Sequence, residues 1–135
     1  HPNADKLYVL QLNVGEEKKQ IVAGLKSHYS EKELLNKKII IVNNLEPAKL
    51  RGEKSNGMLL AVENKGVVKV LSPDAKPGTQ ITVDGVLNNP EKRITIDHFM
   101  SLKLKVESGK AKYKNRTLLA DKKPVTSELP QGKIR

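Results

Sequence analysis

The chain has 135 residues, a size that suits one folded domain with or without a small appendage. Its hydrophobic fraction of 37% and its nine glycines are close to globular composition, so a folded chain is expected. Lysine and arginine number 25 against 15 acidic residues, and the net charge of +10 favours an anionic partner. The longest apolar run, at 39–42, is far too short to cross a membrane, so no membrane association is expected.

The chain contains no cysteine, and its three histidines, His1, His28 and His98, are widely separated. The first fact excludes disulfides, cysteine nucleophiles and zinc fingers, and the second argues against a metal site. No nucleophile elbow and no pair of catalytic carboxylates is recognisable in the sequence. We therefore expect no catalytic residue, no metal and no cofactor, and we do not expect the domain itself to be an enzyme.

Short stretches rich in β-branched and aliphatic residues predict an all-β fold. Ser30 and Glu33 form an S-x-x-E capping pattern, which predicts a helix of about two turns that ends by Lys37 or Lys38. The predicted strands around this helix are 8–14, 20–25, 38–42, 58–62, 67–71 and 80–83, separated by turn residues.

Five short strands with one inserted helix are typical of a five-stranded OB-fold barrel. In that layout three strands come before the helix, whereas only two are predicted here. Either the first barrel strand lies upstream of His1, or residues 7–14 are the second half of that strand, after a bend or bulge. The pattern leaves both alternatives open.

The composition changes after residue 88, and residues 89–135 carry +7 of the net charge of +10. Residues 102–106 and 111–113 flank the turn Ser108-Gly109, which predicts a hairpin with a basic face. The remainder from residue 121 is predicted to be rich in turns. We accordingly divide the chain into a barrel at 1–88 and a β-rich extension at 89–135 that packs on it.

The densest group of candidate functional residues lies at 43–58. Lys49, Arg51 and Lys54 stand there among glycines, amides and a hydroxyl, which are donors suited to phosphate and ribose. From this local composition alone, a nucleic-acid loop and a solvated basic hairpin are equally good interpretations. Because the chain has only three tyrosines and one phenylalanine, few rings can stack on single-stranded bases. Recognition of a folded RNA by shape, phosphate and 2′-OH is therefore favoured.

Several motifs resemble those of the tRNA-binding OB domains appended to some methionyl- and tyrosyl-tRNA synthetases. They are H-P-N-A-D-K-L-Y at 1–8, V-A-G-L at 22–25, and N-L-E-P-A-K-L-R-G with a following serine and G-M at 44–58. Further along, L-N-N-P-E-K-R-I, A-K-Y-K and G-K-I-R are similar to the C-terminal extension of the endothelial monocyte-activating polypeptide family. The resemblance implies a monomer whose extension packs on the barrel as a pseudo-dimer interface.

The resemblance also implies that the RNA contacts come from 43–58. Alternatives of equal weight exist for three of these residues. Met58 could lie in the core, and Gly52 and Gly57 could have a purely conformational role. Four lysines of the extension, Lys103, Lys105, Lys112 and Lys114, either widen the positive field or form a solvated face. The predicted RNA-binding residues are Asn43, Asn44, Lys49, Arg51, Gly52, Lys54, Ser55, Gly57 and Met58.

Our first hypothesis is a noncatalytic tRNA-binding module that delivers or retains tRNA for an attached or associated aminoacyl-tRNA synthetase. The synthetase would act in the cytoplasm, alone or in a multisynthetase complex. The alternative is a protein-interaction or cytokine-like module, docked in a synthetase complex or released from it and secreted. Salt separates the two hypotheses, because phosphate contacts release counterions and weaken steeply as the salt concentration rises.

Overall fold

The computed structural model of the protein describes residues 7–50, 52–86 and 92–134. These residues are mostly β, as predicted, and their two helices are short. The helices are α1 (Glu31–Leu34) and α2 (Ile96–Ser101). The strands are β1 (Tyr8–Val14), β2 (Glu17–Ala23), β3 (Ile41–Val42), β4 (Ala48–Leu50), β5 (Glu53–Ser55), β6 (Met58–Leu59), β7 (Ala61–Asn64), β8 (Val67–Val70), β9 (Ile81–Val83), β10 (Lys105–Glu107), β11 (Lys110–Tyr113), β12 (Arg116–Ala120), β13 (Lys123–Pro124) and β14 (Gln131–Ile134).

The described strands form one sheet of eight strands and three sheets of two strands. Along the large sheet the order is β13-β12-β11-β10-β14-β7-β8, and β9 also pairs with β12. The small sheets are β1–β2, β3–β6 and β4–β5. Within the described ranges none of these sheets closes on itself, so the mostly-β prediction is confirmed without showing a closed five-stranded barrel.

Two apolar clusters form the core. The larger one joins Val62 and Leu71 from the first part of the chain to Val106, Leu118 and Ile134 from the second. The smaller one packs the inner faces of β1 and β2 around Ile21 and Tyr29. Residues on both sides of position 88 thus share a core, and the eight-stranded sheet also spans that position.

The predicted start of α1 is confirmed. The hydroxyl of Ser30 accepts a hydrogen bond from the Glu33 backbone N–H at 3.3 Å, and the Glu33 carboxylate accepts one from the Ser30 N–H at 2.8 Å. The predicted length of about two turns is wrong, since α1 has four residues. Leu35 is already extended and Asn36 has a φ of +61°, so the backbone leaves the helix there.

The hairpin predicted around Ser108-Gly109 is confirmed as β10 and β11. The turns predicted from residue 121 onward are present at 121–122 and 128–130, but two strands that were not predicted, β13 and β14, lie there as well. β14 is inserted between β10 and β7, and at Gly132 a Cβ would lie 2.6 Å from the Glu63 carbonyl oxygen. Only a glycine permits so close an approach. In the described ranges, no helix has the length and apolar character needed to cross a membrane.

Candidate nucleic-acid interface

The predicted RNA-binding segment contains a two-stranded hairpin, β4–β5. Its register places Lys49 directly opposite Lys54, and both side chains are exposed, so they leave the same face of the hairpin. Gly52 lies in the turn with a φ of +82°, which favours glycine, and a Cβ added to it would have no atom within 4 Å; its contact with RNA stays a prediction. Arg51, which was also predicted to bind RNA, lies outside the described residues.

Hydrogen bonds hold the hairpin against β2. The Ser55 hydroxyl accepts from the Val22 N–H and donates to the Gly57 carbonyl, both at 3.0 Å. Next to this pair, the side-chain amide of Gln20 donates to the Lys54 carbonyl at 2.9 Å. Ser55 is only 5% exposed and its hydroxyl is hydrogen-bonded inside the protein, which argues against the predicted contact with RNA.

Two further predicted residues, Gly57 and Met58, contribute to packing. Gly57 is buried, and a Cβ on it would lie 3.0 Å from the Val42 carbonyl oxygen. Met58 is half-buried, pairs with Val42 across β3–β6 and packs against the larger core. For both residues the geometry favours the conformational and core alternatives over a contact with RNA.

Asn43 and Asn44 line a groove of about 470 Å³ near the base of the hairpin. The wall contains four cations and three amides against a single carboxylate. Such a set of donors can bind phosphate and ribose oxygens with little regard for base sequence. The lining residues are Glu17, Lys18, Lys19, Asn43, Asn44, Leu45, Pro47, Asn56, Lys92 and Arg93.

Four hydrogen bonds fix the groove. The Lys19 ammonium donates to the Asn43 carbonyl at 2.7 Å and to the Asn56 carbonyl at 3.1 Å, which ties β2 to two wall segments. The Ile94 N–H donates to the Asn44 carbonyl at 2.9 Å, and the Glu46 N–H donates to the Ile94 carbonyl at 2.9 Å. This short parallel pairing brings Lys92 and Arg93, which come just before Ile94, to the groove.

The four cations of the groove were missed by the sequence-based site prediction. Lys18 and Lys19 lie on β2, and nothing in their local pattern separates them from other lysines on strands. Lys92 and Arg93 belong to a segment noted only for its resemblance to the extension of a known family. Their convergence depends on contacts between residues far apart in sequence, which no local pattern contains.

A family model described as "Putative tRNA binding domain" matches residues 1–80. The chain belongs to this tRNA-binding domain family. The domain is 39% identical over 148 residues to a methionine–tRNA ligase of Borrelia recurrentis, which covers 99% of the chain and 20% of that relative. It is 57% identical over 74 residues to the methionine–tRNA ligase of Pyrococcus horikoshii, which covers 55% of the chain and 10% of the relative. The tRNA-binding domain therefore spans a fifth or less of these two curated relatives.

Solved structures show the same relationship. The C-terminal domain of Plasmodium vivax p43 superimposes with a TM-score of 0.91 at 34% identity, covering 100% of this chain and 88% of the other. A MetRS related protein from Pyrococcus horikoshii gives a TM-score of 0.54 at 33% identity, covering 58% of this chain and 74% of that one. The predicted resemblance to tRNA-binding synthetase appendages is confirmed, and the domain is a noncatalytic tRNA-binding module.

Proposed function

We propose that this domain retains tRNA for a methionyl-tRNA synthetase to which it is attached or with which it associates. The observation that carries the proposal is the groove of about 470 Å³, with its four cations and three amides, near the exposed pair Lys49 and Lys54. The similarity of the chain to a fifth of a methionine–tRNA ligase supports the choice of synthetase.

The binding mode follows from the donors that the surface offers. Ammonium and guanidinium groups contact phosphate oxygens, and the amides of the groove bind ribose hydroxyls. None of these contacts distinguishes one base from another, so affinity depends on the shape and charge of folded tRNA. Asn43, Asn44, Lys49 and Lys54 keep their predicted role here, and Lys18, Lys92 and Arg93 join them.

The proposed organisation keeps the division into an OB-fold barrel at 1–88 and an extension at 89–135. The extension would take the place of a second subunit, so that the domain is a monomer with pseudo-dimeric architecture. A cytoplasmic location, with or without a multisynthetase complex, fits a role in translation. The protein-interaction or cytokine-like alternative is not favoured, since the family match concerns tRNA binding.

The experiment is a salt-titrated binding assay with bulk tRNA and with an unstructured RNA of the same length. The groove variant is Lys18→Gln/Lys92→Gln/Arg93→Gln, and the hairpin variant is Lys49→Gln/Lys54→Gln. The control, Lys32→Gln/Lys76→Gln/Lys122→Gln, removes three exposed lysines elsewhere and matches the groove variant in charge.

We expect the groove variant to lose at least about tenfold in tRNA affinity relative to the control, because hydrogen bonds to charged groups contribute about 1.5–3 kcal/mol. The slope of log K against log salt should become shallower by about 0.7–0.9 for each lost phosphate contact. Equal binding of both RNAs, unchanged in the groove and hairpin variants, would contradict the proposal.

A further inference from the structure

The large sheet carries a row of lysines on three neighbouring strands. Lys105 of β10 lies directly opposite Lys112 of β11 on one side and directly opposite Lys133 of β14 on the other. Directly opposed residues in antiparallel strands project from the same face of a sheet. We call these three residues the lysine row. It lies beyond residues 1–80, which the family model matches.

The lysine row is on the solvent side of the sheet. Its sequence neighbours Val106, Ala111 and Ile134 are buried in the larger core, and successive residues of a strand point to opposite faces. The Lys105 and Lys112 side chains keep 43% and 22% of their surface exposed, and Lys133 is exposed as well.

Folding alone does not explain this arrangement. Like charges directly opposite each other destabilise a sheet, and here two such pairs share the central lysine. The Glu107 carboxylate contacts two lysines of the row: its Oε2 lies 3.2 Å from the Lys105 Nζ, and its Oε1 lies 3.8 Å from the Lys112 Nζ. The residue directly opposite Glu107 on β11 is a fourth lysine, Lys110.

Acidic residues on this face do not balance the lysines. Glu63 of β7 lies opposite Lys133, so two carboxylates, Glu63 and Glu107, stand among four lysines. The face therefore keeps a positive excess at a cost in stability. Neutralisation by a bound polyanion would remove that cost.

We propose that the lysine row is a second phosphate-contacting surface for folded RNA, separate from the groove. Strands lie about 4.8 Å apart, so the three lysines span about 10 Å across the sheet and can contact successive phosphates of one backbone. This inference rests on the proposed function, because it assigns the extension a direct share in tRNA binding.

The test uses the row variant Lys105→Gln/Lys112→Gln/Lys133→Gln and the control Lys32→Gln/Lys76→Gln/Lys122→Gln, which has the same net charge. The binding of bulk tRNA is measured across a salt series for both variants and for the unmodified chain. Relative to the control, we expect the row variant to bind at least about tenfold more weakly, with a slope shallower by about 2. Because the opposed lysines cost stability, the melting temperature of the row variant should be at least as high as that of the control.

A second variant acts in the opposite direction. Glu107→Gln removes the carboxylate that competes with phosphate for Lys105 and Lys112. We expect it to tighten tRNA binding by about 1.5- to 5-fold, since an exposed ion pair contributes about 0.2–1 kcal/mol. If the lysine row served only the fold, Glu107→Gln would bind tRNA no more tightly than the unmodified chain. This measurement also tests the proposal if the row variant fails to fold.

The outcomes separate the two proposals. If the unmodified chain shows no salt-sensitive binding of tRNA, the proposed function itself fails. If the groove variant loses affinity while the row variant matches the control and Glu107→Gln binds no more tightly, the row proposal is overturned and the proposed function stands. Loss of heparin or acidic-peptide binding in the row variant, with tRNA binding intact, also overturns the row proposal.

Discussion

The hydroxyl of Ser55 accepts a hydrogen bond from the backbone N–H of Val22 at 3.0 Å, and both residues are buried. β2 pairs with β1 along one edge. On the opposite edge of β2, the Val22 backbone N–H is hydrogen-bonded to the Ser55 hydroxyl. The same hydroxyl donates to the Gly57 carbonyl. One hydroxyl thus connects β2, the basic hairpin and the segment that follows it.

Replacing Ser55 by alanine should destabilise the domain. Ser55→Ala leaves the Val22 N–H buried without its acceptor, which costs about 1–3 kcal/mol. The free energy of unfolding, measured by urea titration, should fall by that amount. Ser101→Ala, which removes an exposed hydroxyl bonded to the His98 carbonyl, serves as the control and should change stability far less. Equal stability of the two variants would contradict the structural role of Ser55.

Alanine at position 57 and alanine at position 52 should both destabilise the domain, but for different reasons. In Gly57→Ala the new Cβ meets the Val42 carbonyl oxygen at 3.0 Å, and such overpacking costs about 1–3 kcal/mol. In Gly52→Ala the space is open but the φ of +82° is unfavourable for a side chain, at a cost of about 1–2 kcal/mol. Asparagine should be tolerated at 52, since it adopts positive φ more readily, but not at 57. Urea midpoints of the alanine and asparagine variants at positions 52 and 57 test this difference. If Gly57→Asn were as stable as the unmodified chain, the close contact with Val42 would not be the cause.

Tyr29 satisfies a buried backbone group on β8. Its hydroxyl accepts from the Val70 N–H at 2.9 Å, while its carbonyl accepts from the Tyr8 hydroxyl at 2.8 Å. Tyr29→Phe should lower the free energy of unfolding by about 1–3 kcal/mol, because the Val70 N–H loses its acceptor in the core. Tyr8→Phe removes a donor in a half-buried position, and we expect about 0.5–1.5 kcal/mol. If the thermal or urea midpoint fell further in Tyr8→Phe than in Tyr29→Phe, the larger role given to the Tyr29 hydroxyl would be wrong.

Glu33 makes the stability of α1 depend on pH. The hydrogen bond from the Ser30 backbone N–H, followed by that from the Ser30 hydroxyl, lowers the pKa of Glu33 below its ordinary value of 4.5. A carboxyl group whose pKa is lower in the folded state stabilises the protein above its unfolded pKa. This contribution is lost as the pH falls through the folded pKa.

Urea midpoints of the unmodified chain and Glu33→Gln, measured from about pH 7 down to about pH 3, test this dependence. The unmodified chain should be the more stable at neutral pH, and the difference should shrink as the pH falls below 4.5. Glu31→Gln is the control for loss of a first-turn carboxylate that leaves the capping box in place. A difference that stays constant over the whole range would exclude titration of Glu33 as its source.

Features that depend on neighbouring residues were predicted well. The alternation at 8–14, the capping box of Ser30 and Glu33, and the turn at Ser108-Gly109 each express a local rule of backbone or side-chain geometry. Lys49 and Lys54 were predicted to act together because they are close in sequence, and their cross-strand pairing agrees with that. The predicted helix was too long because residues 35–36 leave helical geometry.

Features that depend on distant contacts were missed. Composition does not predict that the Ser55 hydroxyl points inward to the Val22 N–H. Nor does it predict that Ile94 pairs with Leu45, which brings Lys92 to the groove. β14 was missed for the same reason: it is four residues long, and its place is determined by its neighbours β10 and β7. The side-chain types at the site were therefore predictable, while the four cations of the groove were not.

The position of β14 constrains the order in which the protein can be assembled during synthesis. Lys133 pairs with Glu63 and Ile134 with Val62, so this strand joins two segments that are about 70 residues apart in the chain. Until β14 has left the ribosome, β7 and β10 lack the strand that lies between them, and their unpaired edges face water. Completion of the large sheet must therefore wait for residue 134 to emerge, and late closure of so long a loop should make it the slow step of folding.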